Sequence, residues 1–312
     1  IISKYPGNAE AKAHLRRLSN DRVKTSSSVE VDNPPEEVIH RLLTYYERSE
    51  FSLIAGELNI LENQYPKSNF LWKLKGGLAL QRDDLEDAKE CFNKALLFKQ
   101  VDSSVYMNLG IIARREGNLR EATAFLKRAI DINPHTSEAY SNLGNVFIES
   151  QDTSNAVKMF RKAIDLDSNN EVLHYNLGVA YFHAGDFEKS IYSLDNSVTI
   201  NSSFVPALNK LGECYFSLGQ TEKALNYFQE AIQLDPQYIV AKFNMGLALA
   251  NFKFTEYDDS CCLVIASLLH ENLYICPERI IGSAISLLYL DPVLRPVLAG
   301  EVRIECSASI NR

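Results

Sequence analysis

The sequence predicts an all-α fold, an α-solenoid of stacked antiparallel helix pairs, on the basis of two observations. Glycine recurs every 34 residues, six times in register, at Gly76, Gly110, Gly144, Gly178, Gly212 and Gly246. After each of the first five glycines, small and large residues follow at three- and four-residue steps, which is the spacing of one helix face. A strict period of this length is typical of repeat proteins in which every unit is one small supersecondary element.

The glycine and the small residues predict where the two helices of a unit cross. In the first unit, Gly76 is followed by Ala88, Phe92 and Ala95, and the later units keep this order of sizes. Glycine inside a helix costs about 1 kcal/mol relative to alanine, so its repetition requires a compensating contact each time. We therefore expect the backbones of the two helices to approach closely there, with large side chains filling the space around the crossing.

Turn signals separate the predicted helices. Gly117, Gly185 and Gly219 fall between the two helices of a unit, where a residue of left-handed conformation commonly ends the first helix. Pro134 and Pro236 lie at the following boundary, between one unit and the next.

The units therefore share one consensus pattern at fixed offsets: an aromatic residue, then Leu-Gly, Ala, Phe, Ala and Pro. Trp72 and Tyr106 are examples of the aromatic position. This pattern resembles the tetratricopeptide repeat family. The resemblance covers about residues 69–250 and implies a right-handed superhelix of antiparallel helix pairs, with five full repeats and the first helix of a sixth.

The flanking segments predict further domains. Residues 36–68 predict a degenerate repeat in which Leu42 replaces the glycine, and the Ser/Pro-rich residues 19–35 predict a linker. Residues 1–18 predict the end of an upstream repeat, and the first residue, which is not Met, predicts a start inside a longer chain. Residues 251–312 predict a divergent helical C-terminal segment, of which residues 261–312 either cap the solenoid or begin another domain.

Composition and motifs restrict the possible functions. With 40 acidic and 32 basic residues the formal net charge is −8, which argues against a general binder of nucleic acid or anionic membranes. The apolar stretches are too short to span a membrane. The six cysteines lack CxxC pairs and zinc-ligand spacing, which predicts no metal site and free thiols of a cytoplasmic protein. Without a catalytic or cofactor-binding fingerprint, we expect no enzyme, no catalytic residue and no cofactor in this chain.

The groove of the predicted solenoid is the candidate binding site. In the geometry of this family the first helices line the concave side, and the residue two before the glycine faces the groove. In the last five repeats that position holds Asn108, Asn142, Asn176, Lys210 and Asn244. Asparagine is a mediocre helix former, but its amide can donate to and accept from a peptide backbone. The alternative is that these asparagines reflect repeat duplication or satisfy neighbouring helix ends. Around this row the sequence places Asn145, Tyr175, Phe182, Glu213 and Phe216.

The asparagine row resembles the asparagine ladder in the repeat domain of O-linked N-acetylglucosamine transferases, and Lys210 interrupts it. The order of linker, degenerate repeat and regular array also resembles the front half of bacterial proteins that carry a glycosyl-, sulfo- or methyltransferase domain. The main hypothesis is a protein-interaction scaffold that binds a protein or an extended peptide. The alternatives are a substrate-recruiting, non-catalytic part of such a transferase, and self-association through the C-terminal segment or through the open edge of the repeats.

Overall fold

The computed structural model describes residues 32–98 and 101–250, and these residues form thirteen helices without any strand. In chain order the helices are α1 (Glu36–Glu47), α2 (Phe51–Gln64), α3 (Asn69–Gln81), α4 (Leu85–Phe98), α5 (Ser103–Arg115), α6 (Leu119–Ile132), α7 (Ser137–Glu149), α8 (Thr153–Leu166), α9 (Glu171–His183), α10 (Phe187–Ile200), α11 (Val205–Ser217), α12 (Thr221–Leu234) and α13 (Ile239–Leu249). The all-α prediction is confirmed.

The described residues divide into two compact units, with the boundary between Leu166 and Asp167. The first unit holds α1–α8 and the second holds α9–α13. Within each unit, consecutive helices pack as pairs whose first members are α1, α3, α5, α7, α9 and α11. The predicted upstream repeat, most of the linker and the whole C-terminal segment, with its predicted self-association surface, lie outside the described residues.

The turn inside each pair uses one left-handed residue at the same repeat position. Gly117 has a φ of 78° there, in agreement with the sequence prediction for the glycines. Ser49, Asp83 and Gln151 take the equivalent position in other pairs with φ values of 59°, 60° and 62°. The repeat geometry therefore imposes this conformation even where the residue does not favour it.

The first five repeat glycines lie directly against a buried side chain of the second helix. A Cβ added at Gly144 would stand 2.7 Å from the ring of Phe160, and one added at Gly110 would stand 2.6 Å from Leu126. Both side chains are fully buried and follow their glycine by sixteen residues. The close helix crossing predicted from the glycine period is therefore present. The side chain that stands sixteen residues after the glycine fills the space at this crossing.

The first helix pair shows what replaces this contact. Leu42 takes the glycine position in α1 and is itself fully buried, together with Leu58 of α2. This pair is thus packed around a side chain rather than around a bare backbone.

A buried ion pair joins two neighbouring pairs of the first unit. Lys73 Nζ of α3 lies 3.2 Å from Asp102 Oδ2, and the two side chains are only 3% and 1% exposed. The other carboxylate oxygen of Asp102 accepts from the backbone N–H groups of Ser104 and Val105 and so caps the N-terminus of α5. The charge of Asp102 is compensated by one cation and by the positive end of the helix.

Gly144→Ala should destabilise the chain by about 1–3 kcal/mol, because the new methyl group would overlap the buried ring of Phe160. Gly56→Ala is the matched control, since Gly56 lies in the middle of α2 and a Cβ there would meet nothing within 4 Å. That change should stabilise by about 0.5–1 kcal/mol. Urea unfolding followed by circular dichroism measures both, and an unchanged or raised midpoint for Gly144→Ala would contradict the packing argument.

The buried ion pair predicts a non-additive result. Lys73→Met leaves a buried carboxylate without its cation, and Asp102→Thr leaves a buried ammonium without its anion, so each should cost about 3–5 kcal/mol. The double variant should cost less than either single one, because Met107 and Thr136 already occupy these two positions in the next repeat. The free energies of unfolding from urea titrations test the coupling. Strict additivity of the two single effects would show that the pair is not an energetic unit.

Candidate functional site

A polar cluster forms between two first helices of the second unit, α11 and α13, and Glu213 lies at its centre. Lys210 Nζ donates to Glu213 Oε2 at 2.5 Å, from one helical turn earlier in α11. Asn209 Nδ2 donates to Glu213 Oε1 at 2.8 Å, and Asn244 Nδ2 of α13 donates to the same oxygen at 3.1 Å. Three side-chain donors therefore surround one carboxylate.

The cluster is buried on one side and open on the other. Asn209 is only 3% exposed, whereas the side chains of Lys210 and Glu213 are 17% and 23% exposed. Asn244 is half-buried, and its Nδ2 also donates to Asn209 Oδ1 at 3.0 Å. We refer to Asn209, Lys210, Glu213 and Asn244 together as the Glu213 cluster.

Lys210 links this cluster to an aromatic ring of the preceding pair. Its ammonium lies 4.7 Å from the ring centre of Phe182 in α9, within the range of a cation–π contact. Sequence analysis treated Lys210 as an interruption of the asparagine row. In the structure its ammonium has two partners, the carboxylate and the ring. The predicted residues Lys210, Asn244 and Phe182 are thus brought together.

Tyr175 is packed against a neighbouring ring. It contacts Phe204 edge to face, with 5.5 Å between the ring centres. Burial, and then the nearby Tyr238 and Glu213, raise the pKa of Tyr175 well above its usual range. Burial, Glu213 and Asp235 also raise the pKa of Tyr238, so both phenols are neutral at physiological pH.

Apolar side chains remain exposed on the same first helices. Phe216 is 42% exposed and follows Glu213 by three residues on α11. Phe243 and Leu247, one helical turn apart on α13, are 40% and 39% exposed. Asn176 of α9, also predicted for the site, is half-buried. The second unit therefore presents aromatic surface next to the Glu213 cluster.

The predicted residues of the first unit have different surroundings. Asn108 is 1% exposed, so its amide cannot meet a ligand on the surface, and we leave it out of the proposed site. Asn142 and Asn145 on α7 are half-buried. The position that Glu213 holds relative to Asn244 is held, relative to Asn142, by the apolar Ile111. The first unit therefore lacks the carboxylate around which the cluster of the second unit is built.

Asn209 was not among the predicted site residues, because it lies outside the asparagine row that the repeat geometry assigns to the groove. Its spacing of four residues from Glu213 was the available signal, since residues i and i+4 share one helix face.

Neither of the two described cysteines is an activated thiol. Burial raises the pKa of the Cys91 thiol to about 12 and that of the Cys214 thiol to about 11, so both stay protonated and are poor nucleophiles. Within residues 32–98 and 101–250, His, Cys, Asp and Glu side chains form no group that could hold a metal ion. Over the same residues, no helix combines the length and apolar character needed to cross a membrane.

Comparison with known proteins identifies the repeats. Models of the tetratricopeptide repeat match residues 74–137 and residues 205–238, and a model described as TPR repeat matches residues 144–185. A search of curated protein sequences gave no match.

Several solved structures are similar to this chain. The pilF protein of Pseudomonas aeruginosa is 16% identical, with a TM-score of 0.57, over 76% of this chain and 97% of its own. A chain of the APC/C hetero-tetramer Cut9-Hcn1 is 16% identical, with a TM-score of 0.60, over 78% of this chain and 48% of its own. A MamA fragment from Desulfovibrio magneticus RS-1 is 17% identical, with a TM-score of 0.50, over 55% of this chain and 96% of its own.

At sequence identities of 16–17%, the similarity to these solved structures shows the fold alone. The three segments matched by the repeat models are identified from their amino-acid sequence. Together with the helix pairs and the 34-residue glycine period, these matches show that residues 74–137, 144–185 and 205–238 are tetratricopeptide repeats.

Proposed function

We propose that this chain is a protein-interaction scaffold, and that the first helices of its second unit bind an extended peptide segment of a partner protein. Tetratricopeptide repeat proteins generally serve as interaction scaffolds, and repeat arrays use extended surfaces for binding. The observation that carries the proposal is the Glu213 cluster, a partly open polar site beside exposed aromatic side chains.

The mixture of groups fits a peptide better than it fits a small polar molecule or a charged polymer. An extended peptide offers backbone N–H and C=O groups, which match the amide and ammonium groups of the cluster. Its side chains offer apolar surface, which matches Phe216 and Phe243. Rigid aromatic side chains contribute much of the binding energy at interfaces because they bury a large area at small entropic cost. Within the cluster the charges of Lys210 and Glu213 cancel, so no net charge favours an anionic polymer.

The cluster favours binding rather than chemistry. The carboxylate of Glu213 is occupied by three donors from the protein itself, and both described cysteines are protonated thiols in the core. We therefore propose a non-catalytic role for these residues, in the cytoplasm as the cysteine pattern predicts. Substrate recruitment for a bacterial transferase domain and self-association stay predictions from the sequence.

The proposal predicts that peptides bind and that the exposed rings matter. Panning a random displayed peptide library against the full 312-residue chain should yield binding peptides, and the tightest one can be synthesised with a fluorescent label. Replacing Phe216 and Phe243 together by alanine should weaken its binding about tenfold or more, measured by fluorescence anisotropy.

Tyr192→Ala is the matched control for that measurement. Tyr192 is an aromatic residue of the same unit, is 71% exposed, and lies on α10, the second helix of its pair. Its replacement should leave the affinity unchanged, and circular dichroism should show unchanged helicity in all variants. The proposal is wrong if no peptide is selected, or if Tyr192→Ala weakens binding as much as the double phenylalanine variant does.

A further inference from the structure

The Glu213 cluster determines the orientation of two side-chain amides. The nitrogen and the oxygen of an asparagine amide have similar shapes, so their assignment must come from the hydrogen-bond network. An ionised carboxylate has no proton and can only accept. The amide atoms of Asn209 and Asn244 that face Glu213 Oε1, at 2.8 and 3.1 Å, must therefore be the NH₂ groups.

The orientation of Asn209 reinforces that of Asn244. With its NH₂ group on Glu213, Asn209 turns its oxygen towards Asn244, and that oxygen accepts from Asn244 Nδ2 at 3.0 Å. The two N–H bonds of the Asn244 amide are thus both used inside the protein. Its Oδ1 atom has no hydrogen-bond partner in the described part of the chain, and the side chain is half-buried. Towards a ligand, Asn244 can only accept.

Lys210 supplies the complementary group. One of its three N–H bonds is donated to Glu213 Oε2, and the ring of Phe182 lies 4.7 Å away. The side chain remains 17% exposed, so an ammonium N–H is left to donate to a ligand. Lys210 and Asn244 contact the two oxygens of the same carboxylate, so one or two peptide units, at about 3.5 Å per residue, can reach both.

We propose that Glu213 acts as a specificity-determining residue that fixes the polarity of this site. The site takes an internal, uncharged peptide unit of the partner, whose backbone N–H donates to Asn244 Oδ1 and whose C=O accepts from Lys210. This inference rests on the proposed peptide-binding function and adds the order of donor and acceptor to it. A terminal carboxylate of a peptide fits less well. It carries only acceptors, and it would place a negative charge beside Asn244 Oδ1 and Glu213.

Asn142 of the same row has no carboxylate at the position that corresponds to Glu213. Asn142 stands at the repeat position of Asn244, but Ile111 stands at that of Glu213, so no carboxylate at that position fixes the Asn142 amide. Asn142→Ala is therefore a matched control with the same residue type at the same repeat position.

The experiment removes backbone N–H groups from the peptide one at a time. The tightest peptide from the displayed library is synthesised as a series of ester analogues, in each of which one backbone N–H is replaced by oxygen. Against the unaltered chain, one analogue should bind about tenfold more weakly because Asn244 Oδ1 has lost its donor. Against Asn244→Ala this difference between amide and ester should disappear, and against Asn142→Ala it should persist.

Glu213→Gln provides a second, independent readout. A glutamine amide can donate as well as accept, so the Asn244 amide is free to turn over and the penalty for that ester should fall below about threefold. A peptide with a free C-terminus should bind no more tightly than the same peptide with an amidated one. Circular dichroism confirms that each variant keeps its helicity.

The possible outcomes separate the two proposals. If the peptide binds but the ester penalties are the same in the unaltered chain and in Asn244→Ala, the fixed polarity is wrong and the scaffold function stands. Tighter binding of the free C-terminus, lost in Lys210→Met, would overturn the inference by showing that the site takes an anionic end. If no peptide binds, the proposed function itself fails.

Discussion

The packing of a bare helix backbone against one large buried side chain is the constraint on which the other features of this chain depend. At Gly144 and Phe160, and again at Gly110 and Leu126, an added methyl group would overlap the side chain that follows sixteen residues later. This contact sets how closely the two helices of a pair approach and in which register. Because the register recurs every 34 residues, each offset from the glycine meets the same offsets of the neighbouring helices. Asn244 reaches Glu213 for this reason, since the two residues stand at fixed offsets from the glycines of adjacent first helices, two before Gly246 and one after Gly212.

The register of the helices determines which two repeat positions come into contact, but the residue types at these positions differ between repeats. Lys73 and Asp102 form a buried ion pair in the first unit, and Tyr175 and Phe204 form an edge-to-face ring pair at the same repeat positions in the second. An ion pair must compensate the desolvation of two charges, whereas a ring pair gains by burying apolar surface. Both pairs fill the same space between two adjacent helix pairs. The same freedom allows a carboxylate at position 213 where Ile111 stands in the first unit.

Sequence periodicity predicts those features that every repeat must share. The helix pairs, the close crossings and the left-handed turn at Gly117 follow from the period because each repeat needs them to pack. Features that differ between repeats do not follow from it. Asn108 is buried and Asn244 half-buried although both stand two residues before a glycine, because burial depends on the particular neighbours of each helix. Gln151 adopts a left-handed backbone conformation that glutamine rarely adopts, so its residue type does not predict it. The hydrogen bond from Lys210 to Glu213 joins two different repeat positions of one helix, so the comparison of one position across repeats does not predict it.

The Glu213 cluster is arranged before any ligand arrives, and this bears on how such a surface can be selective. The carboxylate is compensated by Lys210 and by two amides within the protein, so the cluster holds no unpaired charge. Since the donors face inwards, what remains for a ligand is one acceptor on Asn244 and an N–H of Lys210. Preorganised groups lose little entropy on binding. A partner with the opposite order of donor and acceptor would have to break a hydrogen bond to a carboxylate before forming its own. Under the proposed peptide binding, selectivity at this surface therefore rests on the internal bonds of the protein as much as on the contacts with the peptide.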